Sequence, residues 1–205
     1  MSVIPLQRDI EYPESDGQPM AESDLHADEM IYLRLALREH FRNAPDVYVA
    51  GNLFFYFRQG DPRAVVAPDL FVVKGVPKES RRKYLLWEEG QVPCFVVEVT
   101  SNSTQHEDLK SKKDCYERLG VEEYFLFDPR GDYLKPRLQG FRLVNGRYEP
   151  AGPWTDALES RTTGVTLRVD GEHLRLIDTA TGAPYLRPEE LTFRRSAPAP
   201  GPGSP

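Results

Sequence analysis

Three charged residues stand where the local pattern calls for apolar ones. Asp69 interrupts the run "VVAPDLFVV", Glu98 interrupts "CFVVEVT", and Lys112 sits in the stripe Leu109, Lys112, Tyr116 and Leu119 of a helical segment. Burying an ionised group without a partner is costly, so each needs an explanation. Two carboxylates delivered by adjacent strands make a hard-oxygen site for a divalent cation, Mg²⁺ or Mn²⁺. Such a cation polarises a phosphate and lowers the pKa of a bound water. A lysine brought alongside from the next helix holds the attacking water or stabilises charge developing on phosphorus. Together, Asp69, Glu98 and Lys112 point to phosphodiester hydrolysis, with Asp69 and Glu98 as the metal ligands.

Each residue also has a plainer reading. Pro68-Asp69 fits a turn between two short strands, because proline removes a ladder donor and aspartate favours turns. Glu98 fits the solvated side of a half-exposed strand. Lys112 fits an i, i+4 pair with Asp108, worth a few tenths of a kcal/mol when exposed, or a side chain that snorkels to water.

The elements that must position these residues follow from hydrophobic periodicity. Asp24 caps a helix to about Asn43, with Met30, Leu33, Leu37 and Phe41 on one face. "VYVAG", "LFFYFR" and "AVVAPDLFVV" read as three strands, followed by a charged excursion from Gly75 to Gly90. "PCFVVEVT" is apolar on both faces, as a central strand is. Cys94, Val96, Glu98 and Thr100 point one way; Phe95, Val97 and Val99 point the other. "HEDLKSKKDCYERL" is a helix with Gly120 at a left-handed C-terminal cap, and "EEYFLFDP" is the next strand. Asn145-Gly146 predicts a hairpin, short strands continue to about Asp178, and Pro188 opens a last short helix. This order gives an α/β (α+β) domain built on a central mixed sheet flanked by helices.

Composition narrows the class. The chain has 205 residues, 40% of them hydrophobic, which suits one domain. We place an N-terminal arm at 1–21, the domain at 22–195 and a Pro/Gly/Ser tail at 196–205. The net charge of −6 argues against a protein that lives on nucleic acid. The basic clusters "KESRRKY" and "KSKK" read first as solvated surface. Cys94 and Cys115 read as small hydrophobes in a reducing cytosol, and with four histidines they form no zinc spacing. The start lacks an apolar secretion segment and no run is long enough to span a membrane, so a cytoplasmic protein is expected.

The stretches "APDLFVV", "CFVVEVTSNST", "DLKSKKDCYERLGVEEYFLFDP" and "LQGFRL" resemble the Uma family of restriction-endonuclease-like proteins, within the PD-(D/E)XK nuclease superfamily. The resemblance runs from about residue 22 to about residue 190. It implies a restriction-endonuclease-like core with a divalent metal site, Asp69 as the motif aspartate and Glu98 as the motif (D/E). The superfamily lysine stands two residues after that glutamate, where this chain has Thr100. Lys112 matches a lysine supplied from the following helix, with Lys110 and Lys113 close by. An acidic or polar residue of the first helix joins such sites. Glu29 is favoured because it neighbours Met30; Asp28, His26 and Asp24 are the other candidates.

Three functions compete. A Mg²⁺-dependent DNA endonuclease requires the carboxylates and lysine to converge. A binding module on the same fold requires no working site. A metal-dependent hydrolase of a smaller phosphoester requires a closed pocket. A nuclease that cuts both strands suits a symmetric homodimer.

Overall fold

The structure, a computed structural model, describes residues 10–15, 17, 23–101, 107–153 and 155–191. Most of the expected arm and all of the 196–205 tail lie outside the described residues, as does the polar loop 102–106.

Helix α1 spans Asp24–His40 and is capped by Ser23, whose side chain accepts from the His26 N–H. Ser23 therefore takes the capping role expected of Asp24, which falls in the first turn. Strand β1 is Val47–Ala50, β2 is Phe55–Tyr56, β3 is Val65–Val66, β4 is Leu70–Lys74 and β5 is Tyr84–Leu85. A short helix α2 covers Leu86–Glu89 before β6, Phe95–Val99. A π-helix, Glu107–Lys112, then runs directly into helix α3, Lys113–Leu119. Strands β7 (Glu123–Phe127), β8 (Leu138–Val144), β9 (Arg147–Pro150), β10 (Ala157–Glu159), β11 (Val165–Asp170) and β12 (His173–Asp178) complete the chain, with a helical turn at 188–191.

The central sheet has the order β1-β4-β6-β7-β8-β9. It is mixed: β6 and β7 are parallel, and the other neighbours are antiparallel. The parallel pair requires a crossover, which the π-helix and α3 supply. Helix α1 and the three-stranded sheet β10-β11-β12 cover one face, where Leu33, Leu37, Phe95, Val97, Leu167 and Leu176 meet. Tyr116 of α3 and Tyr84 of β5 cover the other, against Val96, Tyr124 and Leu126. Fully burying a leucine such as Leu33 contributes roughly 1.5–3 kcal/mol, so the anchoring of α1 rests on packing more than on helix propensity. The fold class is the one expected: a central mixed sheet flanked by helices.

Two local expectations are corrected. "AVVAPDLFVV" is not one strand. It breaks at Pro68-Asp69, with β3 in the small sheet β3-β2-β5 and β4 in the central sheet. Leu109 does not join the buried stripe; it is 37% exposed, and Asp108 faces inward instead. The π-helix is the cause, because its wider turn moves side chains off the 3.6-residue spacing from which the stripe was read. The Asn145-Gly146 hairpin forms as expected, with positive φ at both residues.

Candidate active site

Strand β4 pairs antiparallel with β6, with Leu70 opposite Val97, so the residue before β4, Asp69, comes level with Glu98. Pro68 ends the preceding strand, and its carbonyl accepts the Asn52 N–H at 2.9 Å. A Cβ on Gly51 would stand 2.5 Å from the Asp69 carbonyl oxygen, so only glycine allows this approach. The loop after β1 and the start of β4 are thus clamped together, which fixes the Asp69 backbone.

Both carboxylates are held by several bonds. Asp69 Oδ2 accepts the Val99 N–H at 2.8 Å and lies 3.0 Å from His26 Nε2. Glu98 is fully buried. Its Oε1 accepts from the Tyr116 hydroxyl at 2.7 Å. Its Oε2 accepts from Lys112 Nζ at 3.0 Å and from the Asp69 N–H at 3.2 Å. Lys112 Nζ also lies 3.0 Å from Asp108 Oδ1. The Asp108 carbonyl accepts the Tyr124 hydroxyl, which ties the π-helix to β7.

The electrostatics follow from three carboxylates facing one ammonium. Burial raises the Glu98 carboxyl well above its ordinary range; Lys112 opposes this, and Asp69 and Asp108 add to it. Burial works against the Lys112 charge, but Glu98, Asp108 and Asp69 outweigh it and hold the ammonium protonated. Burial and the neighbouring Glu98 push the Tyr116 phenol well up, so it remains a donor. Burial and the neighbouring carboxylates thus favour the protonated form of Glu98, and a cation bound beside it would favour the charged form.

Asp69, Glu98 and Lys112 are brought together. Of the neighbouring lysines, Lys110 is exposed and Lys113 sits over the Phe141 ring at 3.6 Å, so only Lys112 reaches Glu98. Thr100, at the usual lysine position, is buried and pairs with the Tyr133 hydroxyl. A groove of about 220 Å³ opens beside the cluster, bordered by Ser23, His26, Val99, Thr100 and Tyr133.

Glu29 is a correction. It is fully buried, but its Oε1 pairs with Arg187 at 2.5 Å and His173 at 2.6 Å, and its Oε2 accepts the Leu174 N–H. It fastens α1 to β12 and to the segment that follows, and takes no part in the Asp69–Glu98 cluster. Asp24 and Asp28 are exposed. The first-helix residue at the cluster is His26. Its spacing to Met30, Leu33 and Leu37 places it on the buried face, a signal that separates it from Asp24 and Asp28. Asp108, read at first as an ordinary helical partner, and Tyr116 complete the arrangement.

Comparisons with known proteins agree with this frame. A family model named Uma2 and described as "Putative restriction endonuclease" matches residues 3–170. A solved structure titled as a "putative nuclease belonging to DUF820" from Anabaena variabilis ATCC 29413 superposes with a TM-score of 0.50 at 14% identity. The match covers 75% of this chain and 78% of that one, and it shows a shared fold. No curated protein matches the chain. No helix among the described residues is long and apolar enough to cross a membrane.

Proposed function

Because this chain belongs to the Uma2 family, whose description is "Putative restriction endonuclease", we propose that it is a divalent-metal-dependent endonuclease that hydrolyses DNA phosphodiester bonds. The observation that carries this reading is the meeting of Asp69 and Glu98, from neighbouring strands, with Lys112 from the following helix.

The residues fit a Mg²⁺ or Mn²⁺ ion in donor type and in charge. Asp69 and Glu98 are hard oxygen donors, and a cation beside them would offset the burial that raises the Glu98 carboxyl. Among the described residues no group of three His, Cys, Asp or Glu is arranged to hold a metal. Asp69 and Glu98 are two carboxylates, and Mg²⁺ takes one or two and fills its other positions with water and substrate phosphate. Bound there, the ion would polarise the phosphate and acidify a water.

The chain's own groups do the rest. The Lys112 ammonium has three donors, two of which face Glu98 and Asp108. The third serves charge developing on a phosphate oxygen in the transition state. Tyr116 fixes the Glu98 carboxylate, and the Val99 N–H and His26 fix that of Asp69. The proton on Lys112 stays in place, because the surrounding carboxylates hold it.

The test is metal-dependent nicking of supercoiled plasmid by the wild type, Asp69→Ala, Glu98→Ala and Lys112→Ala, with chelator as the control. Nicking that needs metal and is lost in all three folded variants supports the reading; a wild type that nicks nothing under Mg²⁺ or Mn²⁺ ends it. A second reading, a DNA-binding module with a silent site, draws on the internal bonding of both Glu98 oxygens. It expects DNA binding without nicking.

A further inference from the structure

A second groove lies away from the carboxylates. It measures about 480 Å³, runs between α1 and the edge strand β1, and is lined by Arg34, Arg38, Lys78 and Arg81 with a single acid, Glu79. On a chain of net charge −6 this is a local reversal of sign.

Two of its cations already have structural work. The Arg81 guanidinium grips Glu89 at 2.5 and 2.9 Å and lies over the Tyr48 ring. Lys78 donates to the Phe41 and Arg42 carbonyls at the end of α1. Arg34 and Arg38 differ. Both are exposed, and among the described residues neither has a carboxylate in ion-pair range. Arg38 leans on the Val49 carbonyl at 3.3 Å. Partial burial of the guanidinium, and after it the adjacent Arg34, lower the Arg38 pKa.

Helix α1 links this groove to the carboxylate cluster. His26 meets Asp69 near the start of the helix. Eight residues on, about 12 Å along the axis, the Arg34 side chain packs near Gly51, which itself presses on the Asp69 carbonyl. Arg38 follows one turn later, about 6 Å further. Arginine's planar fork suits phosphate oxygens, and the row leads away from Asp69 along the outer edge of β1.

We propose that Arg34 and Arg38 bind the phosphodiester backbone of a DNA strand beside the phosphate at Asp69, and so set the direction in which the strand leaves the site. The inference rests on the endonuclease reading for the place of that phosphate; the binding itself is tested without cleavage. Anisotropy of labelled duplex DNA is measured in chelator for the wild type and for Arg34→Gln/Arg38→Gln. A control, Arg58→Gln/Arg63→Gln, removes the same charge from the turn between β2 and β3. A further pair, Arg34→Lys/Arg38→Lys, keeps the charge, and circular dichroism checks folding.

The glutamine pair is expected to lose about tenfold or more in affinity near 0.1 M salt, with the salt slope reduced by about two. The lysine pair is expected to keep most of the slope, and the control to lose little. A glutamine pair that binds like the wild type, or loses no more than the control, overturns the inference, as does a wild type that binds no DNA. A wild type that nicks plasmid while the glutamine pair binds unchanged sinks this groove alone. Binding through Arg34 and Arg38 by a protein that never nicks sinks the endonuclease reading and leaves the groove standing.

Discussion

The backbone N–H of Asp69 donates to Glu98 Oε2 at 3.2 Å, so the main chain of one carboxylate residue holds the side chain of the other. Neither can move without the other feeling it. That bond sits on the antiparallel pairing of β4 with β6, two strands buried along their length except for Lys74.

This coupling gives a prediction about metal that needs no turnover. A ligand that binds only the folded state at 100 times its Kd adds about 2.7 kcal/mol of stability. Mg²⁺ or Mn²⁺ is expected to raise the wild-type melting temperature by several degrees, and chelator to reverse the rise. Asp69→Asn is expected to abolish it. An equal rise in Asp69→Asn, read by calorimetry, would remove Asp69 from the ligand set.

Gly51→Ala tests the clamp on Asp69. The new Cβ would fall 2.5 Å from the Asp69 carbonyl oxygen, and that atom is backbone. The expected cost is about 1–3 kcal/mol, in the range of overpacking, with loss of any nicking. A variant with wild-type urea midpoint and rate would mean that the loop yields freely.

Glu29→Gln separates structure from chemistry. It weakens a buried pair with Arg187 and the contact with His173. Breaking a buried pair costs about 3–5 kcal/mol when one partner is removed outright, and glutamine should cost less. The folded fraction is expected to nick at the wild-type rate. A stable variant with no activity would return Glu29 to the site.

Glu123 gives the pH dependence. Burial raises its pKa, but hydrogen bonds from Ser160, Thr162 and Arg142 outweigh that and leave the carboxyl below its ordinary value. A carboxyl depressed in the fold stabilises above its unfolded pKa, and that contribution is lost as pH falls through the folded value. Wild type and Glu123→Gln are therefore expected to differ most in urea midpoint near pH 7, with the gap closing below about pH 4.3. A gap that stays constant with pH would assign the loss to packing.

The carboxylates and the lysine were legible because each breaks a simple period: Asp69 and Glu98 an apolar strand, Lys112 a helical stripe. The hairpin at Asn145-Gly146 was legible because its turn chemistry is local. Glu29 misled because a buried glutamate looks the same from sequence whatever it pairs with. Its partners stand 144 and 158 residues away, beyond the reach of local pattern. The placing of Asp108 inside and Leu109 outside was hidden for a different reason. Periodicity assumes 3.6 residues per turn, and the segment that carries Lys112 does not obey it.

That irregular segment bears on how the family could vary. A π turn is equivalent to an α-helix with one residue inserted. Removing a residue between Glu107 and Lys112 would let the segment wind as ordinary α-helix, and every side chain on one side of the cut would rotate by about 100°. Asp108 would then swing off Lys112, while Lys112 and α3, anchored by the buried Cys115 and Tyr116, kept their seat. The alignment of a cation with its carboxylates is thus written as a residue count, and a single-codon deletion could silence the cluster while leaving the composition of the fold intact.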